Sequence, residues 1–153
     1  MEEIFFSFTM GGETLSLAAA RATLDKLRRE PVVKTIAARG GRLMRETQAL
    51  IEKFNLSAAL STSGHPSWGF VLMQDAGGYS SFEIKTLFMQ EMLARGVLTF
   101  GTHNLTYAHQ DKDIDAVLAA YGEVFPMLAD AIHNRAMRQH LKCAPLAPLF
   151  KLR

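Results

Sequence analysis

A chain of 153 residues that is 48% hydrophobic and 21% charged can bury one ordinary core, which excludes a disordered polypeptide. Its formal charge of +2, with Lys and Arg scattered rather than striped, excludes a dedicated nucleic-acid binder. A single cysteine, Cys143, excludes an internal disulfide and fits a reducing, cytoplasmic compartment. No apolar run approaches membrane-spanning length, and Glu2 and Glu3 stand where an export leader carries basic residues, so neither insertion nor export is expected.

The first informative segment runs from Ser7 to Ala20 and joins a hydroxyl, a Gly11-Gly12 pair and a small-residue helix start. Two glycines let a backbone turn with its N–H groups exposed, and a helix behind them adds the positive end of its dipole, a combination that suits an anion such as phosphate. A tight turn capping a buried helix is the plainer reading, and both stay open at this point. Leu15 to Glu30 is the first expected helix, stopped by Pro31, and its run of Ala18, Ala19, Ala20 and Ala22 implies close packing. From Val32 to Phe54, apolar positions including Ile36, Leu43, Leu50 and Ile51 follow helical spacing. Gly40-Gly41 interrupts this helix at a cost of about 1 kcal/mol per glycine, so either another backbone approaches closely there or the helix bends.

Ala58 to Thr62 and Gly69 to Gln74 read as two strands of a hairpin-like pair, joined by an irregular Ser63–Trp68. Ser80-Ser81-Phe82-Glu83 matches a capping box opening a helix through Arg95, with Gly96 ending it. Val97 to Phe100 and Leu105 to Ala108 are expected as short strands around a Gly101-Thr102-His103-Asn104 loop. Asp111 opens a long helix whose buried stripe is Ile114, Val117, Leu118, Tyr121, Phe125, Leu128 and Ile132, with Pro126 expected to kink or break it. The tail from Cys143 is expected to be extended. The element order predicts an α+β two-layer domain: a small, mainly antiparallel sheet of three to four strands covered by long helices. Three parts follow: an entry segment over 1–12, a domain over 13–134, and an extended basic tail over 135–153.

Several of these segments, in order, resemble the C-terminal small domain of class III, fold-type-I pyridoxal-phosphate aminotransferases, the group that includes glutamate-1-semialdehyde aminomutase. Thr9-Met10-Gly11-Gly12-Glu13 resembles the family's Thr-aromatic-Gly-Gly-Asn segment, with Met10 replacing the aromatic residue and Glu13 the Asn. Gly40-Gly41-Arg42-Leu43 stands where the family has a Gly-x-x-Leu in its second helix, and Glu91 to Leu98 looks like its third helix entering a strand. Tyr107-Ala108-His109 followed by Asp113-Ile114-Asp115 is similar to the aminomutase-like branch. The resemblance extends to about Ile132.

It implies a C-terminal part of a pyridoxal-phosphate-dependent aminotransferase or aminomutase, acting as a homodimer. Such catalysis needs a Schiff-base lysine, an acid against the pyridine nitrogen and a phosphate cradle. In the family these lie mostly in a larger preceding domain, and Lys26, Lys34, Lys53, Lys85, Lys112 and Lys142 all read as solvated surface lysines. The large domain is therefore expected to be missing here and the chain alone to be inactive. The resemblance makes Thr9 the contact to the cofactor phosphate of the neighbouring subunit, assisted by the backbone of Phe8 or Met10. It also brings His103 and Asn104 toward the substrate entrance, although a turn-stabilising role is the plainer one. Leu105-Thr106-Tyr107 stands where many members carry a carboxylate-binding Arg, which favours an aminomutase-like reaction or a small amino-acid, semialdehyde or amino-sugar substrate.

His65, His103 and His109 lack the spacing of a helical metal site, so no metal is expected. His65 and Ser67 read as close only in sequence, with no Ser-His-Asp relay, and Trp68 reads as core. The alternative to the enzyme reading is a free-standing α+β interaction or regulatory module without catalysis.

Overall fold

The computed structural model describes Thr9 and residues 11–148, in two compact units, Met1–Thr35 and Ile36–Arg153. In the first unit, α1 runs over Thr14–Arg29. Glu13 caps its start, Lys26, Arg28 and Arg29 complement the dipole in its last turn, and Glu30 closes it with a backbone hydrogen bond to the Lys26 carbonyl. None of its residues is buried, and Leu15 and Leu17 stand open to solvent. The close packing expected of its alanines is thus not realised. Among its described residues, the first unit adds to α1 the turn before it and the opening turn of the next helix.

α2 spans Val32–Lys53, and its first turn belongs to the first unit. In the second unit β1 (Leu60–His65) and β2 (Trp68–Met73) form a hairpin, followed by α3 (Ser81–Ala94), β3 (Thr102–Asn104), α4 (Asp111–His133) and α5 (Met137–His140). The sheet has the order β1-β2-β3 and is antiparallel throughout. The architecture is therefore the expected α+β class, with three strands.

Local boundaries shifted where pairing outweighed propensity. The hairpin turn narrows to Pro66-Ser67 because His65 pairs opposite Trp68. Neither Val97–Phe100 nor Leu105–Ala108 is a strand; β3 forms instead from Thr102, His103 and Asn104, the residues read as a loop. These polar residues have modest strand preference, but they meet the free edge of β2, with Gly69 opposite His103, and the Val71 N–H extends the ladder to the Gly101 carbonyl at 2.7 Å. Pro126 lies inside an unbroken α4. The missing backbone donor is outweighed by the burial of Tyr121, Val124, Phe125 and Leu128 around it.

α3 has the expected capping box: Ser80 Oγ accepts from the Glu83 N–H, and the Glu83 carboxylate accepts from the Ser80 N–H at 3.0 Å. The main core lies between α3, α4, the inner face of the sheet and the end of α2, and includes Ile51, Leu60, Val71, Ile84, Leu87 and Phe88. Within the stretch read as an extended tail, α5 docks on this core through the fully buried Met137. Gln90 and Thr86 of α3 hold the following segment by hydrogen bonds to the His140 carbonyl, the Lys142 N–H and the Leu146 N–H. Leu43 of α2 joins Leu105, Ile114 and Leu118 in a second cluster.

Gly40 explains the soft centre of α2. A Cβ at this position would collide with the Pro66 backbone carbonyl in the hairpin turn, whereas at Gly41 it would meet only the flexible end of Arg45, at 3.3 Å. Close backbone approach, not bending, is the use of the first glycine. Gly40→Ala is expected to destabilise the fold by about 2 kcal/mol through forced displacement of the turn, while Gly41→Ala should be neutral or stabilising by up to about 1 kcal/mol. Urea unfolding of the two variants beside the natural chain measures both.

Candidate functional site

The sequence marks two places, one in each unit. In the first, Thr9 is exposed in a turn, while Phe8 and Met10 lie outside the described residues. Gly12 has open space around it and no left-handed φ. The Leu15 N–H donates to Glu13 Oε1 at 2.7 Å and the Ser16 N–H to Oε2 at 2.6 Å. Hydrogen bonds from the Ser16 side chain and backbone and the Leu15 backbone hold the Glu13 carboxyl below its usual range, so it is ionised at neutral pH. The helix terminus that the sequence offers to an anion is filled by the chain's own carboxylate. An incoming phosphate would have to displace a negative charge from those amides.

The second place is built by β3 and α4. His103 stands opposite Gly69 in the sheet, where an added Cβ would press on the Met44 side chain at 3.2 Å and lie at ordinary contact distance, 3.8 Å, from His103 Nδ1. The ring is 7% exposed, and its Nε2 lies 2.5 Å from the Tyr121 hydroxyl. Tyr121, fully buried, stacks on Phe125 with ring centres 4.9 Å apart and tilts against Phe88. Burial pushes the His103 pKa down to about 4 and raises that of Tyr121, so both groups are neutral at pH 7. Among the described residues, His103 Nδ1 and Thr47 Oγ1 are the buried side-chain polar atoms without a hydrogen-bond partner.

A cavity of about 500 Å³ opens beside this pair, between the segment Gly96–Thr99, β3 and the first turns of α4. Val97, Leu98, Leu105 and Val117 give it apolar walls; Asn104, His109 and Asp113 add polar groups. His103 and Asn104, singled out together from the sequence, line it together, with Asn104 exposed. His109 Nδ1 accepts the Thr106 N–H at 2.9 Å, which puts the proton of the neutral ring on Nε2. Asp113 caps α4 by accepting the Gln110 N–H at 2.7 Å. Tyr121 was legible in the sequence as a stripe residue, not as a site residue. A phenol inside an otherwise apolar stripe is the signal, because a buried hydroxyl needs a partner.

His65 and Ser67 are bonded in space as well as near in sequence: His65 Nδ1 lies 2.8 Å from Ser67 Oγ and accepts the Ser67 N–H, closing the hairpin turn. Trp68 is not core; it is 58% exposed, and β2 turns Gly69 and Val71 inward instead. Lys26, Lys34, Lys53, Lys112 and Lys142 are exposed and Lys85 half-buried; none lines the cavity. Among the described residues no cluster of His, Cys, Asp or Glu is arranged to hold a metal, and no helix is long and apolar enough to cross a membrane.

Two resemblance motifs meet in space. Arg42 donates to Asp115 at 2.6 Å and Leu43 packs with Ile114, so the Gly-Gly-Arg-Leu and Asp-Ile-Asp segments form one junction between α2 and α4. No family model and no curated protein matches the chain. A solved structure does: the PLP internal aldimine form of the Sphingopyxis sp. MTA144 FumI protein superposes with a TM-score of 0.69 at 24% sequence identity. The two share a fold. The superposition covers 86% of this chain and 31% of the FumI chain, so the present chain corresponds to less than a third of that protein's length.

The buried imidazole predicts a pH dependence. The unfolded chain takes a proton on His103 near pH 6.5 and the folded one only near 4, so stability is fully present above 6.5 and falls as pH drops toward 4. The loss is about 3 kcal/mol across that window. Tyr121 touches the ring, and Asp113 and His109 line the same cavity without contacting it by hydrogen bond. Denaturant unfolding at pH 7 and pH 4.5 should show this loss in the natural chain and a smaller one in His103→Gln.

Proposed function

We propose that this chain is the C-terminal small-domain portion of a pyridoxal-phosphate-dependent aminotransferase or aminomutase, of the glutamate-1-semialdehyde aminomutase-like branch. The observation that carries the reading is the fold shared with a PLP-bound protein over 86% of this chain but only 31% of that one. The junction of Arg42-Leu43 with Ile114-Asp115 supports it from the sequence side.

Pyridoxal phosphate, when bound, supplies the electron sink for amino transfer. The described residues alone do not fit it: no lysine lines the cavity, and the first amides of α1 are taken by Glu13. The lysine, the acid and most of the phosphate cradle therefore belong to a large domain outside these residues, and the chain alone is inactive. Its own part is small. Thr9 offers one hydroxyl, with the backbone of Phe8 or Met10, to the phosphate of the neighbouring subunit's cofactor. His103 and Asn104 face the substrate, a small amino acid, semialdehyde or amino sugar. The lining of their cavity holds no Arg or Lys, which fits a substrate not gripped there by a carboxylate. The proposal includes a homodimer and a cytoplasmic address, the latter supported by the free thiol of Cys143, the sole cysteine.

Capture of the natural protein with an antibody against the Ala144–Ala147 region, followed by intact mass and visible absorbance, tests the reading. The expected product is about three times this length and carries a cofactor band bleached by borohydride. A colourless protein of 153 residues would overturn it in favour of a free-standing interaction module. In the full-length enzyme, Thr9→Val should weaken cofactor affinity about tenfold, the worth of one hydrogen bond to a charged phosphate, with an unchanged thermal midpoint of the cofactor-free form.

A further inference from the structure

α4 ends in a Schellman turn: the Ala136 N–H donates to the Ala131 carbonyl at 2.9 Å and the Arg135 N–H to that of Ile132 at 3.3 Å. The turn holds Arg135 in the left-handed region, at φ 52°, where glycine is the usual residue and a side chain is strained. An arginine therefore stands where the backbone alone would select glycine. Its exposed guanidinium has no hydrogen bond or ion pair among the described residues, and it lines a cavity of about 390 Å³. The same cavity is lined by Gly77 and Gly78, a two-residue turn closed by the Ala76–Tyr79 bridge, with φ of 62° and 85°. A glycine lines a cavity with backbone alone, and neither of these two N–H groups has a partner among the described residues. Successive free amides in a turn favour an anion. Arg138 and Gln139 add further donors, and no Asp or Glu lines the cavity. Glu83 takes Arg138 Nε at 2.8 Å and leaves the two terminal nitrogens of that guanidinium free.

We propose that this cavity binds the phosphate group of a small phosphorylated molecule, held between the Arg135 and Arg138 guanidinium groups and the amides of Gly77 and Gly78. The strained placement of Arg135 is what lifts the pair above two ordinary surface arginines: the conformational cost brings a cation to the cavity and no contact within the described residues offsets it. Arg138 is balanced by Glu83, so Arg135 supplies the net positive charge. Shape then selects among anions. A phosphate presents oxygens in several directions, matching donors that come from the end of α4, from α5 and from the glycine turn, whereas a carboxylate presents two in one plane. The volume lies in the range of small-molecule sites and leaves room for the organic part of an ester. All the lining residues belong to the second unit and none lines the cavity beside His103, so the inference stands or falls independently of the cofactor reading.

The test is an NMR titration of the 153-residue chain at fixed ionic strength, following the Gly77 and Gly78 amides and the Arg135 Nε–H, with glycerol 3-phosphate, inorganic phosphate and lactate. Glycerol 3-phosphate should give saturable shifts at all three groups and bind about tenfold tighter than lactate, the worth of one further charge-assisted hydrogen bond. Inorganic phosphate separates the two sources of the group: weaker binding than the ester assigns the site to phosphate esters, and equal binding to the free ion. Arg135→Gly supplies the residue that the turn favours, so it should keep or raise the thermal midpoint while weakening phosphate binding about tenfold. Lys112→Gln, which removes the same charge at the other end of α4, should leave that binding unchanged. Absence of saturable shifts, lactate binding as tightly as the ester, undiminished binding in Arg135→Gly, or an equal loss in Lys112→Gln would each overturn the proposal. Should Arg135→Gly not fold, the ranking of the probes on the natural chain and the Lys112→Gln comparison decide.

Discussion

Tyr121 is the point on which the second unit turns. Its ring stacks on Phe125 within α4, leans against Phe88 of α3, and reaches His103 of β3 through its hydroxyl. Three elements distant in sequence are thereby fixed to one side chain at full burial. Apolar packing supplies the strength of this arrangement, and the single polar contact supplies its direction, since only one placement of β3 brings an imidazole to the hydroxyl. The short β3 depends on it: three polar residues would make a weak edge strand by propensity, yet His103 anchors them inward.

The helices were legible from the sequence because their signals are local. The Ser80/Glu83 box, the apolar stripe from Ile114 to Leu128, and Asp111 and Asp113 at the start of α4 each act within a turn or two, and the boundaries agree to about a residue. What was not legible depends on contacts between distant residues. β3 was misplaced because its strand character comes from the edge of β2 rather than from Thr102, His103 and Asn104 themselves. α5 was missed because what holds it is the burial of Met137 in the core and the bond from Gln90 of α3 to the His140 carbonyl, fifty residues away. Half of the candidate site was legible, since His103 and Asn104 are neighbours in sequence. Tyr121, eighteen residues on, was not, because periodicity makes a stripe tyrosine look like any core residue.

The entry segment shows how a resemblance and its departures inform each other. In the resemblance read from the sequence an Asn stands in the place of Glu13, and an amide cannot bring a formal charge to a helix terminus. Glu13 does, and its two oxygens engage the amides of Leu15 and Ser16. One residue thus converts a terminus open to an anion into one that is self-neutralised. The phosphate contact proposed for Thr9 would therefore rest on its hydroxyl rather than on the dipole of α1.

Among the described residues, the sheet buries one face and leaves the other partly exposed. Trp68, Phe70 and Leu72 alternate with the inward Gly69 and Val71, and the sole tryptophan of the chain is at the end of that outer row, its ring 5.4 Å from that of Phe70. The intrinsic fluorescence of this chain is thus a report on its surface. Because the indole is already largely in water, loss of the core changes its emission little, whereas anything that settles over the outer row shifts it to the blue. In this chain a fluorescence melt is a poor thermometer of folding and a good detector of contact.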